Sequence, residues 1–174
     1  MRMKFLLVAT SALMLAACTA KTGEGAPLVD EGRLTSAAAH PENWVTHGGT
    51  YAEQRFSQLG AITPADVSQL RLARSHEFDT NRGQEATPTV VDGVMYTTTA
   101  WSKVFAFDAT TGRLLWSHDP EVPGDAGFKA CCDVVNRGVA VYEGKVFVGT
   151  IDGRLIALDA ATGNEGWSKV TVDQ

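Results

Sequence analysis

Short apolar runs alternate with turn residues through the second half of the chain, and this pattern occurs twice. Residues 90–116 and 141–167 align without a gap at an offset of 51 residues. A period of this size with a recurring glycine and tryptophan is typical of β-propeller blades or other repeat arrays. The matched positions carry identical residues at Val90/Val141, Gly93/Gly144, Thr99/Thr150, Ala106/Ala157, Asp108/Asp159, Ala109/Ala160, Thr111/Thr162, Gly112/Gly163 and Trp116/Trp167.

Each repeat predicts antiparallel strands joined by tight turns, so that residues 88–170 form blade-like sheets. A Gly follows Asp92 and Glu143 between β-forming residues, as in hairpin turns. Asp108 and Asp159 each open an Asp-Ala-x-Thr-Gly stretch, in which the Asp can cap a turn and the Gly can take a positive φ. The strands are expected at 95–99, 104–107 and 114–116, and again at 146–150 and 155–158.

The tryptophans of the two repeats, Trp116 and Trp167, predict packing between blades. A tryptophan at a fixed place in each repeat packs against a neighbour far more often than it binds a ligand. A blade cannot bury both of its faces alone, and two clear blades with one partial blade do not close a ring. The predicted fold is therefore all-β, the first two to three blades of a propeller, in the N-terminal piece of a longer protein.

The N-terminus predicts export. Arg2 and Lys4 precede an apolar stretch at 5–17, which is too short to span a bilayer and fits a signal peptide. The stretch ends in Leu-Ala-Ala-Cys at Cys18, which resembles the lipobox of bacterial lipoproteins and implies that Cys18 is lipidated. We expect a signal peptide at 1–18, a flexible linker at 19–41 and blades at 42–174, in a periplasmic lipoprotein anchored to the membrane. Ordinary secretion, with cleavage among the small residues at 16–20, is the alternative.

Composition and charge narrow the class of protein. The chain is 44% apolar with a mean hydropathy of -0.06, which excludes a multispanning membrane protein. Its net charge of -5, with no basic cluster, argues against nucleic acid as a partner. The four histidines show no metal-ligand spacing, so no metal ligand is predicted in this chain.

Two adjacent cysteines, Cys131 and Cys132, lie between the repeats. Consecutive Cα atoms are about 3.8 Å apart, whereas ordinary disulfides span about 4.4 to 6.8 Å. A bond between the two would close a strained ring, a feature that persists mainly where function keeps it. From the residues alone, two free thiols and pairing with cysteines outside the chain remain alternatives.

Three stretches beside the repeats carry a resemblance to a known family. They are residues 43–57, beginning Asn-Trp; residues 81–88, Asn-Arg-Gly-Gln-Glu-Ala-Thr-Pro; and residues 131–138, Cys-Cys-Asp-Val-Val-Asn-Arg-Gly. They resemble the quinoprotein alcohol dehydrogenases, the methanol and ethanol dehydrogenases that use pyrroloquinoline quinone (PQQ) on an eight-bladed propeller. The resemblance covers residues 43–174. One departure is Arg74, which stands where many relatives have the tryptophan of a blade's outer strand.

The resemblance assigns four residues to the cofactor. It implies that Cys131 and Cys132 form a disulfide ring lying flat against one face of PQQ. It also implies that Glu85 contacts PQQ, although composition alone would make Glu85 a surface residue. Arg137 corresponds to the family arginine that binds a PQQ carboxylate, and a guanidinium suits that role because it binds carboxylates bidentately.

The family resemblance also implies a reaction. Ca²⁺, or a lanthanide in some members, polarises the quinone as a Lewis acid, an aspartate takes the proton of an alcohol, and hydride passes to the quinone. Electrons then leave through a cytochrome c-type acceptor. The metal ligands and the catalytic aspartate belong to later blades, so no catalytic residue is assigned here and the chain alone is expected to be inactive.

A binding scaffold is the alternative function. The propeller lipoprotein of the outer-membrane β-barrel assembly machinery has similar repeats after a lipobox and carries no cofactor. Such a scaffold would have no use for Glu85, Cys131, Cys132 and Arg137 together, and this set favours the dehydrogenase.

Overall fold

The two repeats fold into two four-stranded antiparallel sheets in a computed structural model that describes residues 28–172. In each sheet the strands lie side by side in chain order. This confirms the all-β prediction of consecutive blades. The first sheet contains β1 (Thr89–Val91), β2 (Val94–Thr98), β3 (Val104–Asp108) and β4 (Leu114–His118), and the second contains β5 (Ala140–Tyr142), β6 (Lys145–Gly149), β7 (Arg154–Asp159) and β8 (Glu165–Val170).

Helices are short and lie outside the sheets. Between residues 28 and 172 they are one α-helix, α1 (Glu31–Thr35), and 3-10 turns at Ala37–Ala39, Val67–Gln69, Ala100–Ser102 and Gly124–Lys129. Within residues 28–172 no helix has the length and apolar character needed to cross a membrane.

The strand register is the same in both blades. Trp116 pairs with Ala106 in the first sheet, and Trp167 pairs with Ala157 in the second. Both sheets also shift register directly after that alanine. The two tryptophans therefore occupy equivalent places, as the repeat predicts.

One apolar cluster spans both blades. It includes Tyr96 and Val104 from the first sheet and Ile156 and Leu158 from the second, all fully buried. Burying such a side chain contributes about 1.5–3 kcal/mol, so the contact between the blades is a main source of their stability.

Trp116 shows how one blade packs on the next. Its indole Nε1 donates a hydrogen bond to the Ala160 carbonyl at 3.1 Å, and its ring lies over Gly163, where a Cβ would be 2.5 Å from Cε3. At the equivalent glycine of the first blade, Gly112, the Arg74 side chain lies in that position, with Cδ 2.5 Å from a Cβ placed there. Arg74 thus covers the first blade as Trp116 covers the second.

Residues 28–41, which belong to the linker expected at 19–41, pack against the blades. Within them, α1 forms with Asp30 as its N-cap, and Val29 and Ala37 are buried in the core. The Glu143 N–H donates to the Val29 carbonyl at 2.8 Å. The order arises because these small apolar side chains cover the core shared by the blades. The predicted signal peptide at 1–18, with Cys18, lies outside the described residues.

The connections between strands divide between two ends of the blades. Because consecutive strands are antiparallel, the turns at 92–93, 109–113, 143–144 and 160–164 lie at one end. The segments 81–88, 99–103, 119–139 and 150–153 lie at the other. We call these the turn end and the loop end.

Candidate functional site

All four residues assigned to the cofactor lie at the loop end, in the segments that enter β1 and β5, the first strand of each sheet. The segment before β1 lies against the segment before β5, since the Thr87 N–H donates to the Arg137 carbonyl at 3.2 Å. Gly138, at φ 123°, permits this approach because a Cβ there would lie 2.9 Å from the Thr87 carbonyl oxygen. The close contact therefore requires glycine at this position.

Glu85 and Arg137 form an ion pair. Their Oε2 and Nη2 atoms are 3.1 Å apart, and the side chains are 44% and 70% exposed, respectively. A pair this exposed contributes little to folding. The guanidinium instead presents further N–H donors to solvent, where an anionic group could reach them.

Cys131 and Cys132 are bonded to each other, and both are exposed. Within residues 28–172 no hydrogen bond or ion pair joins them to Glu85 or Arg137. A second ion pair connects the two segments instead, with Arg82 Nη1 and Asp133 Oδ1 at 2.6 Å. The ring and the Glu85–Arg137 pair thus belong to one surface formed by two adjacent segments.

Asn136 fixes this surface to both blades. Its Oδ1 accepts from the Thr98 hydroxyl at 2.8 Å and from the Gly138 N–H at 3.0 Å. Its Nδ2 donates to the Gly149 carbonyl at 2.9 Å and to the Ser102 hydroxyl at 3.2 Å. The side chain thereby ties the ends of β2 and β6 to the residue beside Arg137.

A third set of charges holds the start of the 119–139 connection. Lys103 Nζ lies 2.7 Å from Asp79 and 3.0 Å from Asp119, and hydrogen bonds to both carboxylates raise its pKa. Burial works against ionisation of Asp119, but hydrogen bonds from the Glu121 N–H and from Lys103 hold its pKa below the usual value. Lys103 and Asp119 therefore remain charged at neutral pH.

The sequence analysis quoted Arg82, Asp133 and Asn136 within motifs but gave them no role. One signal could have identified the first pair, because Arg82 and Asp133 are separated by the repeat offset of 51 residues. Equivalent positions of adjacent blades lie side by side at the loop end, so opposite charges at such positions predict a contact. Asn136 has no comparable signal of charge, since its partners are hydroxyl and backbone groups.

Comparisons with known proteins identify the family of this chain. A family model described as Glucose/ethanol/alcohol dehydrogenase, beta-propeller domain (PQQ) matches residues 44–168. The chain belongs to the PQQ-dependent alcohol dehydrogenase family. The family assignment made from the sequence is therefore confirmed.

Two curated relatives and one solved structure illustrate the similarity. The chain is 55% identical to the dehydrogenase subunit of the quinone alcohol dehydrogenase of Acetobacter aceti over 139 residues, covering 80% of this chain and 19% of the relative. It is 56% identical to the 1-butanol dehydrogenase (cytochrome c) of Thauera butanivorans over 138 residues, covering 79% and 20%. The quinohemoprotein alcohol dehydrogenase ADHIIG structure from Pseudomonas putida matches with a TM-score of 0.84 and 51% identity, covering 87% of this chain and 22% of that one.

The chain spans about a fifth of the length of the curated relatives it matches. The residues present nevertheless fit a planar quinone with three carboxylates. Arg137 offers exposed guanidinium donors suited to a carboxylate, and the Cys131–Cys132 ring offers exposed sulfur atoms on the same two-segment surface. Within residues 28–172 no group of three or more His, Cys, Asp or Glu side chains is arranged to hold a metal ion.

Proposed function

We propose that the intact protein oxidises primary alcohols or related CH–OH compounds with PQQ, and that this chain forms one wall of the cofactor pocket. The observation that supports the proposal most directly is the Glu85–Arg137 ion pair on the same two-segment surface as the Cys131–Cys132 ring. A scaffold that binds other proteins has no need for this combination.

Each residue of the wall has a distinct task in the proposal. Arg137 binds a cofactor carboxylate, and Glu85 orients the Arg137 guanidinium while contacting the cofactor itself. The Cys131–Cys132 ring packs against the cofactor face. PQQ, when bound, supplies the acceptor for the two electrons removed from the alcohol. Ligands outside this chain would hold Ca²⁺ or a lanthanide, which would supply Lewis-acid chemistry, so the chain alone is expected to be inactive.

The proposed electron acceptor is a cytochrome c-type protein. The relative from Thauera butanivorans is named for a cytochrome c, which supports this choice. The proposed substrate is a small alcohol, and nucleic acid is not proposed as a partner because the net charge of the chain is -5.

Titration of the intact, cofactor-free protein with PQQ in the presence of Ca²⁺ tests the proposal. We expect saturable binding and PQQ-dependent reduction of a dye by ethanol. Arg137→Gln should weaken PQQ binding by about tenfold or more, since a hydrogen bond between charged groups contributes about 1.5–3 kcal/mol. Arg113→Gln, a change at the turn end, should leave binding unchanged.

The Cys131→Ser variant provides a second test of the proposed function. It should lower turnover while the blades remain folded, because the ring is exposed and not part of the core. An intact protein that binds no PQQ, or a fully active Cys131→Ser variant with reduced thiols, would favour the scaffold instead.

We also propose that the protein is exported to the periplasm and anchored through a lipid on Cys18. The support is the Leu-Ala-Ala-Cys sequence after a short apolar stretch, and two or more acyl chains hold a protein on a membrane where one is marginal. Cells grown with a palmitate analogue should label the protein, and Cys18→Ala should abolish the label. Labelling that persists in Cys18→Ala would exclude this site.

A further inference from the structure

The chain after the Cys131–Cys132 ring is held by packing, whereas the ring itself is not. On the side after the ring, Val134 is buried, and its carbonyl accepts the Trp101 N–H at 2.8 Å. Gly127 lies close beside both residues, since a Cβ there would be 3.0 Å from Val134 and 3.4 Å from Trp101. From Val134 onward the backbone is therefore fixed by packing. The ring and Asp133 are exposed and lack such packing.

Asp133 joins the ring to the packed part of the chain, and its backbone conformation is unusual. Its φ is 65°, in the left-handed region that non-glycine residues rarely adopt and that Asp and Asn tolerate best. Its side chain reaches across to the neighbouring blade segment, where Arg82 Nη1 lies 2.6 Å from Oδ1. The Arg82–Asp133 ion pair therefore holds Asp133, and the backbone conformation of Asp133 sets the orientation of the ring relative to the packed backbone that begins at Val134.

The two ion pairs of the wall are arranged reciprocally. One segment carries the cation Arg82 and the anion Glu85, while the other carries the anion Asp133 and the cation Arg137. Without Arg82, the Asp133 carboxylate would stand unneutralised next to the ring. A negative charge there would oppose the binding of a cofactor that carries three carboxylates.

We propose that Arg82 is a positioning residue for the cofactor wall, acting through Asp133. It holds the Cys131–Cys132 ring in its orientation and cancels the charge that would repel an anionic cofactor. The inference rests on the proposed function for the second effect, while the first effect concerns the ring alone. Arg82 reaches the ring through Asp133 and is not assigned a contact with the substrate.

Two measurements on the intact protein separate these effects. The first is the equilibrium constant for opening the ring in a dithiothreitol redox buffer, in which the disulfide takes up two electrons and two protons and dithiothreitol closes to its own disulfide. Thiol trapping reads the fraction opened in the cofactor-free protein. The second is the Kd for PQQ in the presence of Ca²⁺, measured at low and high salt.

Arg82→Gln should raise both quantities by about threefold to fivefold, the upper range for a half-exposed ion pair. The rise in Kd should shrink at high salt because salt screens the exposed Asp133 charge. Asp133→Asn should raise the ring-opening constant by a similar factor, since the ion pair with Arg82 is lost. It should raise the Kd for PQQ less than Arg82→Gln does, because the negative charge of Asp133 is lost as well. Asparagine keeps the tolerance for the left-handed conformation, so Asp133→Asn does not introduce backbone strain.

Arg82→Lys should restore most of both values, because a lysine at this position retains the charge. Arg113→Gln, at the turn end, is the matched control and should change neither. Wild-type values of both quantities in Arg82→Gln, or equal changes in Arg113→Gln, would overturn the inference. A wild-type protein that binds no PQQ would overturn the proposed function, whereas the ring-opening constant would still decide whether Arg82 holds the ring.

Discussion

The Ala160 carbonyl accepts two hydrogen bonds from side chains of the neighbouring blade. Tyr96 Oη donates to it at 3.0 Å and Trp116 Nε1 at 3.1 Å. The Tyr96 side chain is fully buried, and its burial, together with the charges of Asp159 and Asp92, raises the pKa of the phenol above its usual value. At the scale of single residues, the contact between blades thus depends on Tyr96 remaining protonated.

Tyr96→Phe should lower the free energy of unfolding by about 1 kcal/mol at neutral pH through the lost hydrogen bond. Because the folded pKa is raised, the contribution of Tyr96 is fully present below the unfolded pKa of about 10 and is lost as pH rises above it. Urea unfolding of the intact protein should be measured at neutral and at strongly alkaline pH. The difference in free energy of unfolding between wild type and Tyr96→Phe should be smaller at alkaline pH. Exposed Tyr51→Phe is the control, and a gap that widens with pH would contradict the assignment.

Gly163 and Gly93 are a matched pair of positions for testing the contact between the Trp116 indole and Gly163. Both have positive φ, at 75° and 78°, but a Cβ on Gly163 meets the indole whereas a Cβ on Gly93 meets nothing within 4 Å. Gly93→Ala should cost about 1 kcal/mol from backbone strain, and Gly163→Ala about 2–4 kcal/mol because the contact must also shift. Denaturant midpoints measure the difference, and equal losses would mean that the indole adapts freely.

At the scale of elements, side-chain contacts join separate elements at both ends of the blades. At the turn end, Asn43 accepts the Asp92 N–H at 2.8 Å, and Arg33 forms an ion pair with the Asp92 carboxylate. The side-chain hydrogen bond from Arg33, together with its positive charge, lowers the pKa of the Asp92 carboxyl. At the loop end, Asn136 connects β2 and β6 beneath the candidate site. The candidate site is therefore supported by the hydrogen bonds of Asn136 between the two blades, and does not lie on a free loop.

Asn136→Ala should lower the free energy of unfolding by about 2–3 kcal/mol, because it leaves the buried Thr98 and Ser102 hydroxyls without this partner. It should also weaken PQQ binding by the intact protein, since Arg137 and Gly138 follow directly. Asn164→Ala, in an exposed turn, is the matched control. Unfolding experiments and PQQ titration provide the two readings, and a stable variant with normal affinity would show that the junction does not support the site.

At the scale of the whole molecule, the last blade ends on an open face. Trp167 is 41% exposed although its equivalent Trp116 is 9% exposed, and every residue of β8 is exposed. Large apolar side chains are also exposed before the first blade, at Phe56, Leu59, Ile62, Val67, Leu70 and Leu72. We expect further structure to pack on these apolar faces in the intact protein.

Trp116→Ala and Trp167→Ala test that packing in the intact protein. Trp116→Ala should cost about 3–5 kcal/mol, as expected for a buried tryptophan. If a further blade covers β8 in the way the second blade covers β4, Trp167→Ala should cost a similar amount. Thermal or denaturant unfolding compares the two, and a neutral Trp167→Ala would show that no blade covers that face.

The sequence by itself determined the blades, because turns and strand alternation are local. Hairpin glycines, Asp-capped turns and apolar strand runs depend on neighbouring residues, and they predicted the strands and the equivalent tryptophans. The resemblance supplied the Cys131–Cys132 bond, the family and the assignment of Glu85 and Arg137. Tertiary structure decided the rest. These features are the packing of residues 28–41, Arg74 over Gly112 and the Asn136 junction. They join parts of the chain that local patterns do not relate, and they form only when the blades stand side by side.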